Sequence, residues 1–261
     1  MVPLPYIKLL LMSEKSLSYH DEEVPDGSTF QEMRQQWRSG SANDEDLRAQ
    51  AVQMQIAMDR YSYTYQFEWL GVPIVRLPDD IMIMQEIIYR EQPDCIIETG
   101  VARGGSVILS ASLQKLCGLA PRVLGIDIDV FPHTWDSIRS SLFAESIDIL
   151  VADSAASATV DYVRRFINSS QKALLILDSD HSHDHVAREL ALLTPLLPVD
   201  SLVLVADTVI EELPPDYFPD RHWSVGDNPL SALNAFLGSQ KNFRRETLWG
   251  RRAIITEFRD G

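Results

Sequence analysis

Basic charge is what this chain most plainly lacks. Of its 261 residues, 38 are Asp or Glu and 23 are Lys or Arg, a formal net charge of −15. With no basic surplus to release counterions from a phosphate backbone, nucleic acid is not an expected partner, nor is an anionic membrane surface. Cysteine is scarce as well. Cys95 opens an apolar run and Cys117 falls in a helix-patterned stretch, so both read as small core hydrophobes rather than a disulfide or metal pair. A reducing, cytoplasmic setting is expected. Long hydrophobic runs are also missing. PYIKLLLM, near the start, is interrupted by Lys8 and is too short for a signal h-region, and no stretch approaches the length of a membrane span. There is no internal repeat and no low-complexity segment.

What is there is an ordinary globular composition, 45% apolar and 23% charged, in a chain long enough to bury a substantial core. The first sixty residues are polar and charge-mixed. Asn43-Asp-Glu-Asp predicts a helix start, followed by a stripe at Leu47, Ala51, Met54, Ala57 and Met58 that packs on the main body. Pro78-Asp79-Asp80 predicts a second helix with its apolar face at Ile81, Met84, Ile87 and Ile88. From Cys95 onward the pattern becomes regular. CIIETG, RVLGIDID, IDILVAD, ALLILDSD and LVLVADT alternate with helical stretches, and a last run, RRAIITEF, lies near the C-terminus. Unbroken apolar strands alternating with helices predict an α/β fold with a mostly parallel sheet covered on both faces.

In such sheets ligands sit beyond the carboxyl ends of the strands. Five runs end there in acids: Glu98, Asp127 with Asp129, Asp153, Asp178 with Asp180, and Asp207. A solvated strand end explains one acid well but five converging acids poorly, so a polar or cationic ligand is expected at that edge. The first run leads into Glu98-Thr-Gly100-Val101-Ala102-Arg103-Gly104-Gly105-Ser106, a tight turn opening a helix with free amides. It matches neither the dinucleotide fingerprint nor the phosphate loop. An acid ahead of the glycines repels a pyrophosphate but suits a cationic ligand, such as the amino acid portion and sulfonium of S-adenosylmethionine. Asp127 is placed to accept hydrogen bonds from ribose hydroxyls and Asp153-Ser154 to meet an adenine edge. Alternatively, each acid caps the helix that follows it.

The chain also resembles the cephalosporin hydroxylase family of bacterial proteins, close to the macrolide-sugar O-methyltransferases. The likeness covers residues 60 to about 258 and rests on WLGVPIVRLPDDI, IIETGVARGGS, VLGIDIDVFPH, LILDSDHSHDHV, VADT and NPLSALNAFL. It implies a Rossmann-like class I methyltransferase fold over residues 81–261, with a helical N-terminal extension or lid over residues 1–80. It further implies an S-adenosylmethionine-dependent O-methyltransferase acting on a hydroxyl of a sugar or glycosylated natural product. The cofactor's methionine end falls to Glu98, Gly100, Val101, Ala102, Arg103, Gly104 and Ser106. Its ribose falls to Asp127 with Asp129, and its adenine to Asp153 and Ser154. In related sugar methyltransferases the acid ending the fourth strand binds magnesium and the histidine three residues later is the base. Those positions are Asp178 and His181, with Asp207 and Asp180 as further metal ligands. The family pattern before Asp207 is Glu, and this chain has Ala206, so a metal ligand is missing and weaker Mg2+ binding is expected. Relatives often self-associate, and a homo-oligomer formed through Trp37 or Trp69 is the expected assembly.

The histidines in DHSHDHV suggest two rival patterns. On a strand, His181, His183 and His185 share one face and suit a transition metal. Val186, Leu190 and Leu193, however, have helical spacing, so His183 and His185 belong to a helix capped by Ser182 or Asp184 and act in support. After the fifth strand, ELPPDYFPDRHWSVGDNPL is a long loop of the kind that forms lids, with Tyr217, Phe218, Trp223 and Asp227 placed to meet an acceptor. Two other functions stand beside the methyltransferase. An iron/2-oxoglutarate hydroxylase needs a two-histidine, one-carboxylate triad, and the α/β alternation is wrong for the β-barrel that usually carries that chemistry. A catalytically weak cofactor-binding module is the other, and Ala206 is its support.

Overall fold

A computed structural model describes residues 27–168, 170–246 and 251–261. The chain divides into two units at Trp37/Arg38. The described part of the first is the start of helix α1 (Gly27–Ala42), where Phe30 and Trp37 meet edge to face and Trp37 is exposed. PYIKLLLM and the beginning of the expected extension lie outside the described residues.

The second unit opens with α2 (Glu45–Asp59). Asp44 caps it, its carboxylate accepting the Leu47 N–H at 2.9 Å, and Glu45 and Asp46 face the positive end of the dipole. Asn43 turns back to the Ser39 carbonyl instead. The buried positions are Ala51 and Val52, while Met54 is exposed, so the packing stripe is rotated from the expected one. A short ribbon, β1 (Phe67–Trp69) and β2 (Val72–Ile74), leads into α3 (Pro78–Glu91). Trp69, expected to be exposed, is half-buried and donates its indole N–H to Ser112 at 2.9 Å. Proline opens α3 with Asp79 and Asp80 in its first turn, and the helix buries Ile83, Met84, Ile87 and Ile88. Ile83 thus takes the place expected for Ile81.

Strands and helices then alternate: β3 (Cys95–Thr99), α4 (Gly105–Leu116), β4 (Val123–Asp127), α5 (Pro132–Ser140), β5 (Ile147–Val151), α6 (Ser157–Ile167), β6 (Ala173–Leu177), α7 (His183–Leu193), β7 (Leu202–Val205) and α8 (Pro229–Ser239). β3 to β7 form one parallel sheet in the order β5-β4-β3-β6-β7. Every residue of β3 and β6 is buried, as a sheet covered on both faces requires. Side-chain alternation splits the core. Ile96, Leu174 and Ile176 pack with α3 and α4, while Ile97, Leu175 and Leu177 pack with α6, α7 and α8. The chain winds from β3 outward to β5, returns beside β3 as β6 and winds the other way, so the topological switch lies between β3 and β6. Ligands bind beyond the strand ends at such a switch.

RRAIITEF is not a strand. After a helical pair at 251–252 it is irregular yet largely buried, with Phe258 wholly enclosed. Its amides are satisfied by side chains instead of a neighbouring strand. Asp79 accepts the Ile254 N–H at 3.0 Å, and Asp80 accepts the Glu257 N–H at 3.0 Å together with the Thr256 hydroxyl. Carboxylates at the start of α3 thus do the work of a strand partner.

Candidate active site

The glycine turn and β6 meet at the switch. Gly100 has φ +87, and a Cβ there would run into the Asp178 carbonyl oxygen, so only glycine lets the two strand ends close up. Gly104, also at φ +87, enters α4. The turn is tied to β4 by Asp127, whose carboxylate accepts the Val101 N–H at 2.8 Å and the Ala102 N–H at 3.2 Å. Its other oxygen accepts the N–H of exposed Asp129 at 3.3 Å. Asp153 accepts the Ala155 N–H at 2.9 Å within the turn ahead of α6 and does not cap that helix, and buried Ser154 pairs with His185 across 3.0 Å. Arg103 lies against His133 and over the Phe131 ring.

Glu98 is placed differently from the expectation of a ligand-facing acid. It is wholly buried beneath the turn and bound to Arg76 at 3.1 Å. Arg76, from the link between β2 and α3, also reaches Asp178 at 3.0 Å and stands over the Phe258 ring at 4.9 Å. Burial lowers the guanidinium pKa, but Asp178, Glu98 and Glu257 more than offset this and hold it above its ordinary value. The sequence reading gave Arg76 no role. The signal was an arginine set in the apolar PIVRLP, since a residue of that kind is buried only with partners.

Asp178, His181 and Asp207 converge, each offering a ligand atom within 4.8 Å of the others. His181 Nε2 lies 3.6 Å from Asp178 and 3.3 Å from Asp207. Asp207 sits in the left-handed region at φ +55, where β7 breaks into a 3-10 turn, a conformation aspartate tolerates better than most residues. Burial lowers the imidazole pKa, but the two carboxylates overcome this and push it up to about 9. Burial raises Asp207 to about 6 against the attraction of His181, and Arg76 with His181 holds Asp178 low despite its burial. The His181 Nδ1 is buried without a hydrogen-bond partner. Asp180 does not join them. It accepts the Ser182 N–H at 2.8 Å and pairs with His222 at 3.1 Å. Ala206 is buried in the core cluster that also holds Phe258.

His183 and His185 leave the cluster with α7, as the helical spacing predicts. His183 pairs with Ser231 across 2.8 Å, and His185 with Ser154 and Glu189. Ser182 holds the N-cap position but its side chain makes no cap. Asp227 does so from the long loop, accepting the His183 N–H at 2.8 Å. That residue, expected at an acceptor, is structural. Tyr217, Phe218 and Trp223 do line a cavity of about 280 Å³, with Trp223 5.2 Å from the His181 ring. Its walls include Gly100 to Arg103 and Ser106, and its floor Asp178, His181 and Asp207. Asp127, Asp153 and Ser154 lie outside it. Glu257, which the sequence reading did not single out, borders it.

A parallel sheet of this order with a glycine turn at the switch is a Rossmann-like class I methyltransferase fold. Two structures of CmcI share it, an apo form (TM-score 0.54, 19% identity) and a form with Mg and SAM (TM-score 0.50, 17% identity), each covering 75% of both chains. The rhamnosyl O-methyltransferase of Mycobacterium leprae (strain TN) is 32% identical over 174 residues, 64% of this chain and 69% of that protein. That of Mycobacterium bovis (strain BCG / Pasteur 1173P2) is 29% identical over 171 residues, covering 64% and 65%. The rhamnosyl O-methyltransferase/CmcI profile matches residues 61–261, and the chain belongs to that family. It is an S-adenosylmethionine-dependent O-methyltransferase.

Proposed function

We propose that the chain methylates a hydroxyl of a sugar or glycosylated metabolite, with His181 as base and a divalent cation at Asp178 and Asp207. The observation that carries this reading is the Asp178–His181–Asp207 cluster on the floor of a cavity walled by aromatic rings and opening onto the glycine turn. Tyr63, Tyr217, Phe218 and Trp223 suit the flat C–H faces of a sugar ring, and the carboxylates suit its hydroxyls. The donor set fits a hard cation, being rich in carboxylate oxygen and short of positive charge. Magnesium bound there orients an acceptor diol and lowers the pKa of the hydroxyl to be methylated. With Asp178 and Asp207 neutralised by the cation, the imidazole would lose the attraction that holds its pKa near 9, and His181 Nε2 would take that proton as a neutral base, its ring steadied by Trp223. Arg76 pins Asp178 from behind. Residues 100 to 106 hold the methionine end so that methyl, sulfur and acceptor oxygen line up.

Asp127 with Asp129, and Asp153 with Ser154, take the ribose and adenine in the same reading, their carboxylates keeping free lone pairs beside the backbone bonds they accept. Glu98 contributes from below, through Arg76. The extension over residues 1–80 acts as a lid through its 55–65 stretch, which borders the cavity and is latched to the long loop by the Tyr217 hydroxyl on Asp59 at 2.9 Å. Self-association through exposed Trp37 and a cytoplasmic setting complete the proposal. Among the described residues, no helix is long and apolar enough to cross a membrane. The test is S-adenosylhomocysteine release from a panel of rhamnosides and other glycosides with Mg2+ or with chelator. Mg2+-dependent release with methyl on a sugar oxygen is expected. Binding of the cofactor without turnover on any glycoside would favour the catalytically weak module.

A further inference from the structure

We propose that Glu257, delivered by the C-terminal segment, is the third carboxylate of the cation site. The inference rests on the cation-assisted reading above and assigns it a residue on a different part of the chain. The floor of the cavity is short of positive charge. Arg76 ion-pairs with Glu98, Asp178 and Glu257, and Asp207 has His181 as its ion-pair partner among the described residues. Four carboxylates therefore share one permanent cation, an arrangement that a buried site sustains by taking up protons or by binding another cation.

Glu257 is the most loosely held of the three carboxylates paired to Arg76. It is 8% exposed, and its carboxylate accepts no hydrogen bond from the described residues. Its nearest cationic atom, Arg76 Nη1, lies 3.9 Å away, compared with 3.0 and 3.1 Å for the pairs to Asp178 and Glu98. Yet it borders the same cavity as Asp178, His181 and Asp207. Its backbone is clamped on both sides. The N–H is held by Asp80 at 3.0 Å, and the carbonyl accepts the hydroxyl of Thr208, the neighbour of Asp207, at 3.2 Å. A segment fixed this firmly beside Asp207 brings a largely buried carboxylate to the wall of the cavity where a cation is wanted. Glu257 stands outside the 4.8 Å group of Asp178, His181 and Asp207. Magnesium retains several waters, and a carboxylate one water's width away still holds it.

The test uses Mn2+ as an EPR-visible probe on the whole chain with S-adenosylhomocysteine present. The proteins compared are the native chain, Glu257→Gln and Glu257→Asp. One Mn2+ per native chain, displaced by Mg2+, is expected, with about a 10- to 100-fold weaker affinity in Glu257→Gln. Affinity for S-adenosylhomocysteine without metal should stay unchanged. Glu257→Asp keeps the charge beside Arg76 but withdraws the oxygens by one methylene, so an intermediate loss at an unaltered melting temperature is expected. Native Mn2+ affinity in Glu257→Gln overturns the inference and leaves the cation-assisted reading standing. If Glu257→Gln does not fold, native affinity in Glu257→Asp overturns it equally. A native chain that binds S-adenosylhomocysteine but no Mn2+ overturns both the inference and the cation-assisted reading, and leaves the methyltransferase.

Discussion

The two halves of the sheet edge treat their acids in opposite ways. At the ends of β4 and β5, Asp127 and Asp153 are satisfied by backbone amides, Asp127 tying down the glycine turn after β3 and Asp153 its own turn. At the ends of β6 and β7, Asp178 and Asp207 face each other, His181 and Glu257, with Arg76 the one guanidinium paired to that group among the described residues. Acids that accept amides are pre-organised and keep spare lone pairs for a neutral hydroxylated ligand. Acids crowded in a half-buried floor hold electrostatic stress that a cation or a proton must relieve. In the proposed function, cofactor binding and proton handling fall to separate halves of one edge.

The sharpest way to break this division is to remove the imidazole. His181→Ala should lower turnover by about 10²- to 10⁴-fold, the usual contribution of a positioned base, while cofactor affinity stays near native, because Asp178, Asp207 and Trp223, its partners among the described residues, follow β6 and β7. Initial rates of S-adenosylhomocysteine release, set beside calorimetric cofactor binding, measure both. A fall in cofactor affinity of similar size would mean the halves are not separate. Next in size is Arg76→Met. It leaves Glu98 and Asp178 buried without their cation, and loss of one partner from a buried pair costs about 3–5 kcal/mol. Denaturant unfolding should show that loss, and a midpoint like the native one would mean the carboxylates do not depend on Arg76. On the quieter half, Asp127→Asn should loosen the glycine turn and weaken cofactor binding by about tenfold, since a hydrogen bond to a charged group is worth about 1.5–3 kcal/mol. Mn2+ affinity in the same variant should be unchanged, and a parallel loss there would erase the contrast.

What the sequence made legible follows the same line. The strands from Cys95 to Val205 announced themselves as largely apolar runs ending in acids, because burial on both faces of the inner strands leaves little room for polar residues within them. The helical spacing of Val186, Leu190 and Leu193 correctly removed His183 and His185 from the cluster. RRAIITEF misled, since an apolar run reads as a strand whether its amides go to a neighbouring strand or, as here, to Asp79 and Asp80. For a related reason Glu257 was illegible as a site residue, and PIVRLP signalled that Arg76 is buried without naming its partners. Their places depend on segments far apart in sequence meeting at the switch point, and no local period encodes such a meeting. Asp227 was visible as a loop acid, but that it would cap α7 in place of Ser182 is a tertiary fact.

The smallest effect concerns the seam between the halves, where α7 carries His185 to Ser154 on one side and to buried Glu189 on the other. The hydrogen bond from His185 to Glu189 raises the imidazole pKa despite partial burial. A folded-state pKa raised above the unfolded value of about 6.5 means that the folded chain holds this proton more tightly than the unfolded chain does. The stabilisation is therefore fully present below that pH and is lost as pH rises through the folded value. The melting temperature of the native chain should exceed that of His185→Gln by about 2–4 °C in mildly acidic buffer, and the gap should close in alkaline buffer. A gap that is constant with pH would assign His185 a packing role alone. A gap that widens with pH would reverse the sign of the Glu189 interaction.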